Sequence, residues 1–248
     1  MAGSALLSDA DADAAAQPIR VFVLAGQSNM VGRGLPLSLG PPTNPRLLNW
    51  RDGAWQTASD PLGPPSDPSS GIGPGMTFGL QLLKRQPTWR IGLVMCAKGS
   101  TRIEDWAPDR PVYRSCVKTV KAAGDTVAGI LFLQGERGAG VEQAAGWTAG
   151  FLPVFHAFRA DFGETVPFML GQIGTFAGLE GAQASIRAQQ AAVAAKLPYT
   201  RLVRSLDLPT EGNHYTVPGY RVLGARFATA WYRSWQAAQK PGRRLTAF

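Results

Sequence analysis

The feature that most constrains this chain is a repeated alternation of two patterns. Short, nearly uninterrupted apolar runs at 19–25, 90–96, 128–133, 167–173 and 201–206 are separated by stretches in which apolar residues recur with the helical period. A strand buried on both faces reads as such a run, and strands alternating with helices form a parallel sheet covered on both sides. The expected class is therefore α/β, a three-layer α/β/α sandwich with a central parallel five-stranded sheet. Helices are expected at 76–85, 112–122, 141–162, 180–196 and 217–236. Arg204 interrupts the last run and marks that strand as an edge.

No Pro/Gly/Ser-rich linker divides the 248 residues, so one domain is expected over 19–240, with an Ala/Asp-rich arm at 1–18 and a tail at 241–248. The exception to regular alternation is 34–75, a Pro- and Gly-rich stretch too long for an ordinary βα connection and read as a functional loop. Within it, Asp52-Gly53 lies between Leu47-Leu48-Asn49-Trp50 and Ala54-Trp55-Gln56, a hairpin signal. Trp50 and Trp55 are read either as staples for this loop or as a stacking platform.

In an open α/β sheet, ligands bind beyond the carboxyl ends of the strands. Beyond the first run lies Gly26-Gln27-Ser28-Asn29-Met30, a serine held at a strand-to-helix turn. Beyond the second lies Lys98-Gly99-Ser100-Thr101, where Gly99 can bring a backbone N–H to a ligand. Beyond the third lies Gln134-Gly135-Glu136, whose Gln134 amide suits an oxyanion. A serine nucleophile needs a base, and the chain has two histidines. His156 falls in mid-helix with no catalytic neighbour. His214 follows the last run in Glu211-Gly212-Asn213-His214, just before a helix that Thr216 can cap and Pro218 can open. Glu211 is the expected acid partner of His214, with Asp207 in reserve.

These residues resemble the SGNH-hydrolase superfamily, and within it the carbohydrate acetylesterase branch of family 6 acetylxylan esterases and sialate O-acetylesterase-like domains. The likeness rests on Val23-Leu24-Ala25-Gly26-Gln27-Ser28-Asn29-Met30-Val31-Gly32, on Gly73-Pro74-Gly75, on Gly99-Ser100-Thr101 with Ile103 and Trp106, on Gln134-Gly135-Glu136, on Arg159-Ala160-Asp161-Phe162-Gly163 and on the Glu211–His214 block. It implies a flavodoxin-like sandwich and a serine esterase acting on acetylated carbohydrates or other small acetyl esters. Ser28 would be the nucleophile, His214 the base, and the N–H groups of Ser28 and Gly99 with the Gln134 amide the oxyanion hole. Gln27, Asn29, Glu136 and Trp106 would support the site or bind substrate, Glu136 by orienting His214 or a substrate hydroxyl. The resemblance also implies a secreted or periplasmic enzyme, although residues 1–17 contain no basic segment followed by an apolar one.

Two departures bear on mechanism. Glu211 stands where the branch commonly has Asp, so its extra methylene must be absorbed, and a Ser-His dyad helped by Glu136 becomes an alternative. Arg137-Gly138 stands where Ser-Asp is common.

Rival readings are a general short-chain esterase and a non-catalytic carbohydrate-binding domain using Trp50, Trp55 and Trp106. The net charge of +8, from 25 Lys+Arg against 17 Asp+Glu, is carried by scattered residues and reads as a solvated basic surface without a nucleic-acid partner. No apolar run spans a membrane, and no metal-ligand cluster or dinucleotide fingerprint is present, so neither metal nor cofactor is expected. Whether Cys96 pairs with Cys116 is left open by the sequence.

Overall fold

The computed structural model describes residues 17–124, 126–138, 144–176 and 180–239. Most of the expected N-terminal arm, the C-terminal tail and the start of the helix expected from 141 lie outside them. Five parallel strands form where apolar runs stand in the sequence: β1 (Ile19–Gly26), β4 (Arg90–Met95), β5 (Val127–Leu133), β6 (Phe168–Gly171) and β7 (Thr200–Val203). The sheet nevertheless has seven strands, in the order β3-β2-β4-β1-β5-β6-β7. The two additional strands, β2 (Leu47–Arg51) and β3 (Ala54–Thr57), come from within 34–75. The β2 strand runs parallel to β4 and antiparallel to β3. Asp52 and Gly53, at φ 53° and 76°, form the tight turn that an Asp-Gly pair favours. The expected five-stranded sheet is thus too small by one hairpin. Polar Asn49 and Gln56 and the half-exposed Trp50 and Trp55 break the continuous apolar pattern that marks the other strands.

Helices α2 (Pro74–Arg85) and α6 (Val217–Ala238) cover one face, and α3 (Pro111–Ala123), α4 (Trp147–Phe162) and α5 (Glu180–Lys196) cover the other; α1 (Ser28–Val31) is a single turn after β1. The two faces are supplied by alternate residues of the same strands. In β1, Phe22 and Leu24 join the core with Phe78, Leu82, Leu223 and Phe227, while Val21, Val23 and Ala25 join Val120, Phe151, Phe155 and Phe158. Burying one such side chain is worth about 1.5–3 kcal/mol, so a one-residue slip of β1 would forfeit both cores.

The tryptophans of the hairpin are staples. Trp55 donates through Nε1 to the Ala123 carbonyl at 3.0 Å, and its ring packs edge-on against Trp50 at 5.2 Å. Trp55 also crowds Gly92 and lies near Ile19, at the opposite end of the sheet from the C-terminus of β1. Cys96 and Cys116 form a disulfide that ties the segment after β4 to α3. Among the described residues no helix is long and apolar enough to cross a membrane.

Candidate active site

The central strand β1 ends where backbone must come very close to backbone. Gly26 has φ +130°, and a Cβ there would lie 1.9 Å from the Leu133 carbonyl oxygen of β5, so only glycine fits. The chain then turns sharply. The Gln27 N–H donates to Leu133 O at 2.9 Å, Gln27 caps α1, and half-buried Ser28 opens that turn. Among the described residues, the N–H groups of Ser28 and Gly99 donate to no protein acceptor.

His214 reaches the same place from the other end of the chain. Thr210–Glu211 and His214–Tyr215 form a two-stranded hairpin, β8 and β9, closed through Gly212 at φ 54°. Thr216 then caps α6, its hydroxyl accepting from the Gly219 N–H at 3.4 Å. This arrangement sets His214 Nε2 3.0 Å from Ser28 Oγ across 186 residues of sequence. Burial first, and then the nearby Arg33 cation, hold the His214 pKa below its ordinary value, which favours the neutral imidazole a general base requires.

Asn29 binds the two ends together. Its Nδ2 donates to Glu136 Oε1 at 2.8 Å and to the Asn213 carbonyl at 3.3 Å. Its Oδ1 accepts from the Tyr215 N–H at 3.3 Å and the Tyr220 hydroxyl at 2.8 Å. Each polar atom of this wholly buried amide is therefore used, and His214 is held between two residues bonded to Asn29.

The other residues expected at the site divide into those that face its cavity and those behind it. A cavity of about 310 Å³ is lined by Gln27, Ser28, Ser100, Glu136 and His214, with Arg137, Phe176, Gln183 and Asn213. Gln27 Oε1 gathers Gln134 Nε2 at 3.4 Å, Gly135 N at 3.5 Å and Arg137 N at 3.4 Å, clasping the loop after β5 to the turn that carries Ser28. Gln134 is buried behind this clasp. Its Nε2 also donates to the Thr101 carbonyl at 3.2 Å, and its Oε1 accepts from Trp147 Nε1 at 3.0 Å. In this state its amide braces the loops that carry Ser28 and Gly99. Trp106 is fully buried and donates to Thr101 Oγ1 at 3.2 Å, so it supports the Gly99 loop and offers no surface to a ligand.

The carboxylates are placed unequally. Glu211 pairs with His214 through the backbone of the hairpin, but its side chain is exposed and makes no hydrogen bond with the imidazole. Asp207 is exposed and bound to Arg226 by two contacts of 2.6 Å, which hold its pKa down at about 2. Glu136 is the carboxyl in the cavity wall, and burial pushes its pKa up. His156 is exposed on α4.

Sequence reasoning overlooked Arg33. It donates to Asp67 Oδ2 at 2.9 Å and lines a larger groove of about 740 Å³ with Asp67, Lys98, Gly99, Ser100 and the disulfide. Ser100, in the left-handed region at φ 61°, lines both cavities. Arg33 follows the Ser28 turn by a few residues and finds its partner, Asp67, inside 34–75, a pairing with no periodic signature. Among the described residues no three or more His, Cys, Asp or Glu side chains gather as metal ligands do.

A family model described as carbohydrate esterase, sialic acid-specific acetylesterase, matches residues 18–233. The chain belongs to that family. A curated relative, the probable carbohydrate esterase At4g34215 of Arabidopsis thaliana, is 33% identical over 142 residues, 48% of this chain and 54% of the relative. The match thus spans about half the length of that relative. The solved structure of the Arabidopsis thaliana protein superposes with a TM-score of 0.79 at 26% identity, covering 87% of this chain and 98% of that one. XAC1771, a carbohydrate acetylesterase from Xanthomonas citri, gives a TM-score of 0.66 at 21% identity, covering 85% of this chain and 55% of that one. NanS gives 0.70 at 18% identity, covering 88% and 98%. The last two establish a shared fold.

Proposed function

We propose that this protein is a serine carboxylic ester hydrolase that removes acetyl groups from carbohydrates through an acyl-enzyme. The observation that carries the reading is His214 Nε2 at 3.0 Å from Ser28 Oγ in the wall of a cavity. Membership of a carbohydrate esterase family supports the substrate class. His214, neutral at Nε2, takes the proton of Ser28 as Oγ attacks the acetyl carbonyl, and the oxyanion is received by the N–H groups of Ser28 and Gly99. His214 then returns the proton to the departing sugar oxygen. Water activated by the same imidazole releases acetate and frees Ser28. Gln134 serves the oxyanion by bracing the two loops, and an amide freed from Thr101 would supply a third donor.

The acid of this mechanism is Glu136 acting at one remove. It anchors Asn29, which holds the backbone on both sides of His214, so Ser28 and His214 form a dyad with a positioning carboxyl behind it. The small cavity takes the ester and the adjoining part of the sugar, and the groove beyond Ser100 takes the rest of a longer alcohol. Acetylated xylan, an extended and uncharged chain, is the substrate we assign to that groove. The disulfide between Cys96 and Cys116 supports an oxidising compartment, hence a secreted or periplasmic enzyme.

Hydrolysis of p-nitrophenyl acetate and butyrate tests the reading. Ser28→Ala and His214→Ala are expected to keep the circular dichroism of the wild type and to lose roughly 10²–10⁴-fold or more in kcat. Glu211→Ala should stay within about threefold, because its side chain is exposed and makes no hydrogen bond with the imidazole. A Ser28→Ala variant with near wild-type turnover would remove Ser28 from the chemistry, and a large loss in Glu211→Ala would restore a conventional triad.

A further inference from the structure

Among the described residues, two buried polar atoms in the wall of the cavity that holds Ser28 and His214 have no hydrogen-bond partner. Glu136 accepts from Asn29 through Oε1, whereas its Oε2 is buried and receives no hydrogen bond. Gln183, wholly buried on α5, accepts the Phe176 N–H through Oε1 at 2.9 Å, whereas its Nε2 donates to nothing. Both residues line the 310 Å³ cavity that holds Ser28 and His214. Leaving a buried polar group unpaired costs about 1–3 kcal/mol, so two around one small cavity call for something that supplies the missing bonds.

Neither group can turn away from this demand. The Phe176 N–H identifies the Gln183 oxygen, so flipping the amide would set donor against donor. The Asn29 amide likewise fixes which Glu136 oxygen is already engaged. The wall of the cavity that holds Ser28 therefore contains a buried donor and a buried carboxyl oxygen that lack partners among the described residues. An acetyl group answers neither, since its methyl is apolar and its carbonyl belongs to the oxyanion donors. An aryl or alkyl alcohol brings nothing further. A hydroxyl both gives and accepts a hydrogen bond, and it suits Glu136 whether the carboxyl is ionised or, as burial favours, protonated.

We propose that Gln183 Nε2 and Glu136 Oε2 bind free hydroxyl on the alcohol half of the substrate, next to the ester, so that partly acetylated sugars are preferred over esters lacking a neighbouring hydroxyl. The proposal rests on the esterase reading above and narrows it. Gln183 becomes a specificity-determining residue on an element far in sequence from Ser28, and Glu136 uses its two oxygens for two tasks.

The test compares kcat/KM for a mono-acetylated methyl xyloside with that for its deoxy analogue lacking the hydroxyl beside the ester. Sites that hydrogen-bond a hydroxyl discriminate strongly against its absence. The wild type is expected to prefer the hydroxyl-bearing ester by roughly 10²-fold, and Gln183→Met should reduce that ratio at least tenfold. A wild-type ratio near one overturns the proposal, as does a ratio that survives in a folded Gln183→Met protein. The wild-type ratio decides alone if that variant does not fold. Loss of the preference with p-nitrophenyl acetate still hydrolysed condemns only the hydroxyl site, whereas a wild type inactive on every ester condemns the esterase reading with it.

Discussion

At the scale of single residues, the pair Ser28 and His214 makes a definite demand on pH. His214 must be neutral to accept a proton, and burial together with Arg33 lowers its pKa in the folded protein. A lowered folded pKa places the acid limb of kcat/KM below the ordinary histidine value of about 6.5, with activity full above it and lost as pH falls through it. Arg33→Met removes the cation from the neighbourhood and should move that limb upward; an unmoved limb would mean that burial alone sets it. The same sign governs folding. A histidine whose folded pKa is depressed disfavours the protonated native state, so its contribution weakens stability as pH drops below the unfolded value. Glu136 works in the opposite direction. Its raised pKa means that the native state resists ionisation, which costs stability as pH rises above the usual carboxylate range.

At the scale of elements, the decisive contact is between the ends of β1 and β5. Gly26→Ala would drive a Cβ to 1.9 Å from the Leu133 oxygen at a positive φ, so the two central strands must part next to the turn that carries Ser28. The expected result is a loss of stability of a few kcal/mol in urea denaturation, with esterase activity falling further than stability alone predicts. Unchanged denaturation midpoints would show that the turn has another path. The five parallel strands were legible because burial on both faces leaves no room for polar residues. The β2–β3 hairpin was legible as a turn at Asp52-Gly53 but not as part of the sheet, since a hairpin at a sheet edge keeps polar residues among its apolar ones. Ser28 and His214 stood out as chemistry-bearing residues at strand ends. The side-chain position of Glu211 was not legible, because a spacing of three is compatible with either a loop or the hairpin that forms. Gln183 gave no signal at all, since its importance arises from what it leaves unbonded.

At the scale of the whole molecule, the site is a meeting of loops from one end of a rigid sheet, and the disulfide steadies one of them. Cys96 lies between β4 and Gly99, and its bond to Cys116 closes a separation of 20 residues. Chain-entropy arguments assign a loop of this size about 3 kcal/mol. Cys96→Ser/Cys116→Ser is therefore expected to lower the thermal midpoint by several degrees, measured by calorimetry, and to raise KM through the groove wall that both cysteines share. A variant with both quantities unchanged would reduce the bond to a bystander.

The sheet order carries a last consequence, for synthesis. The first strand of the chain lies at the centre of the sheet, flanked by β4 and β5, and its serine is separated from its histidine by 186 residues. At roughly 5–20 residues per second, a ribosome needs on the order of 10–40 s to travel between them. The proposed nucleophile is thus made early and meets its base late. On the proposed mechanism a nascent chain carries Ser28 without its base until His214 has been made, so a product terminated before residue 214 lacks the dyad.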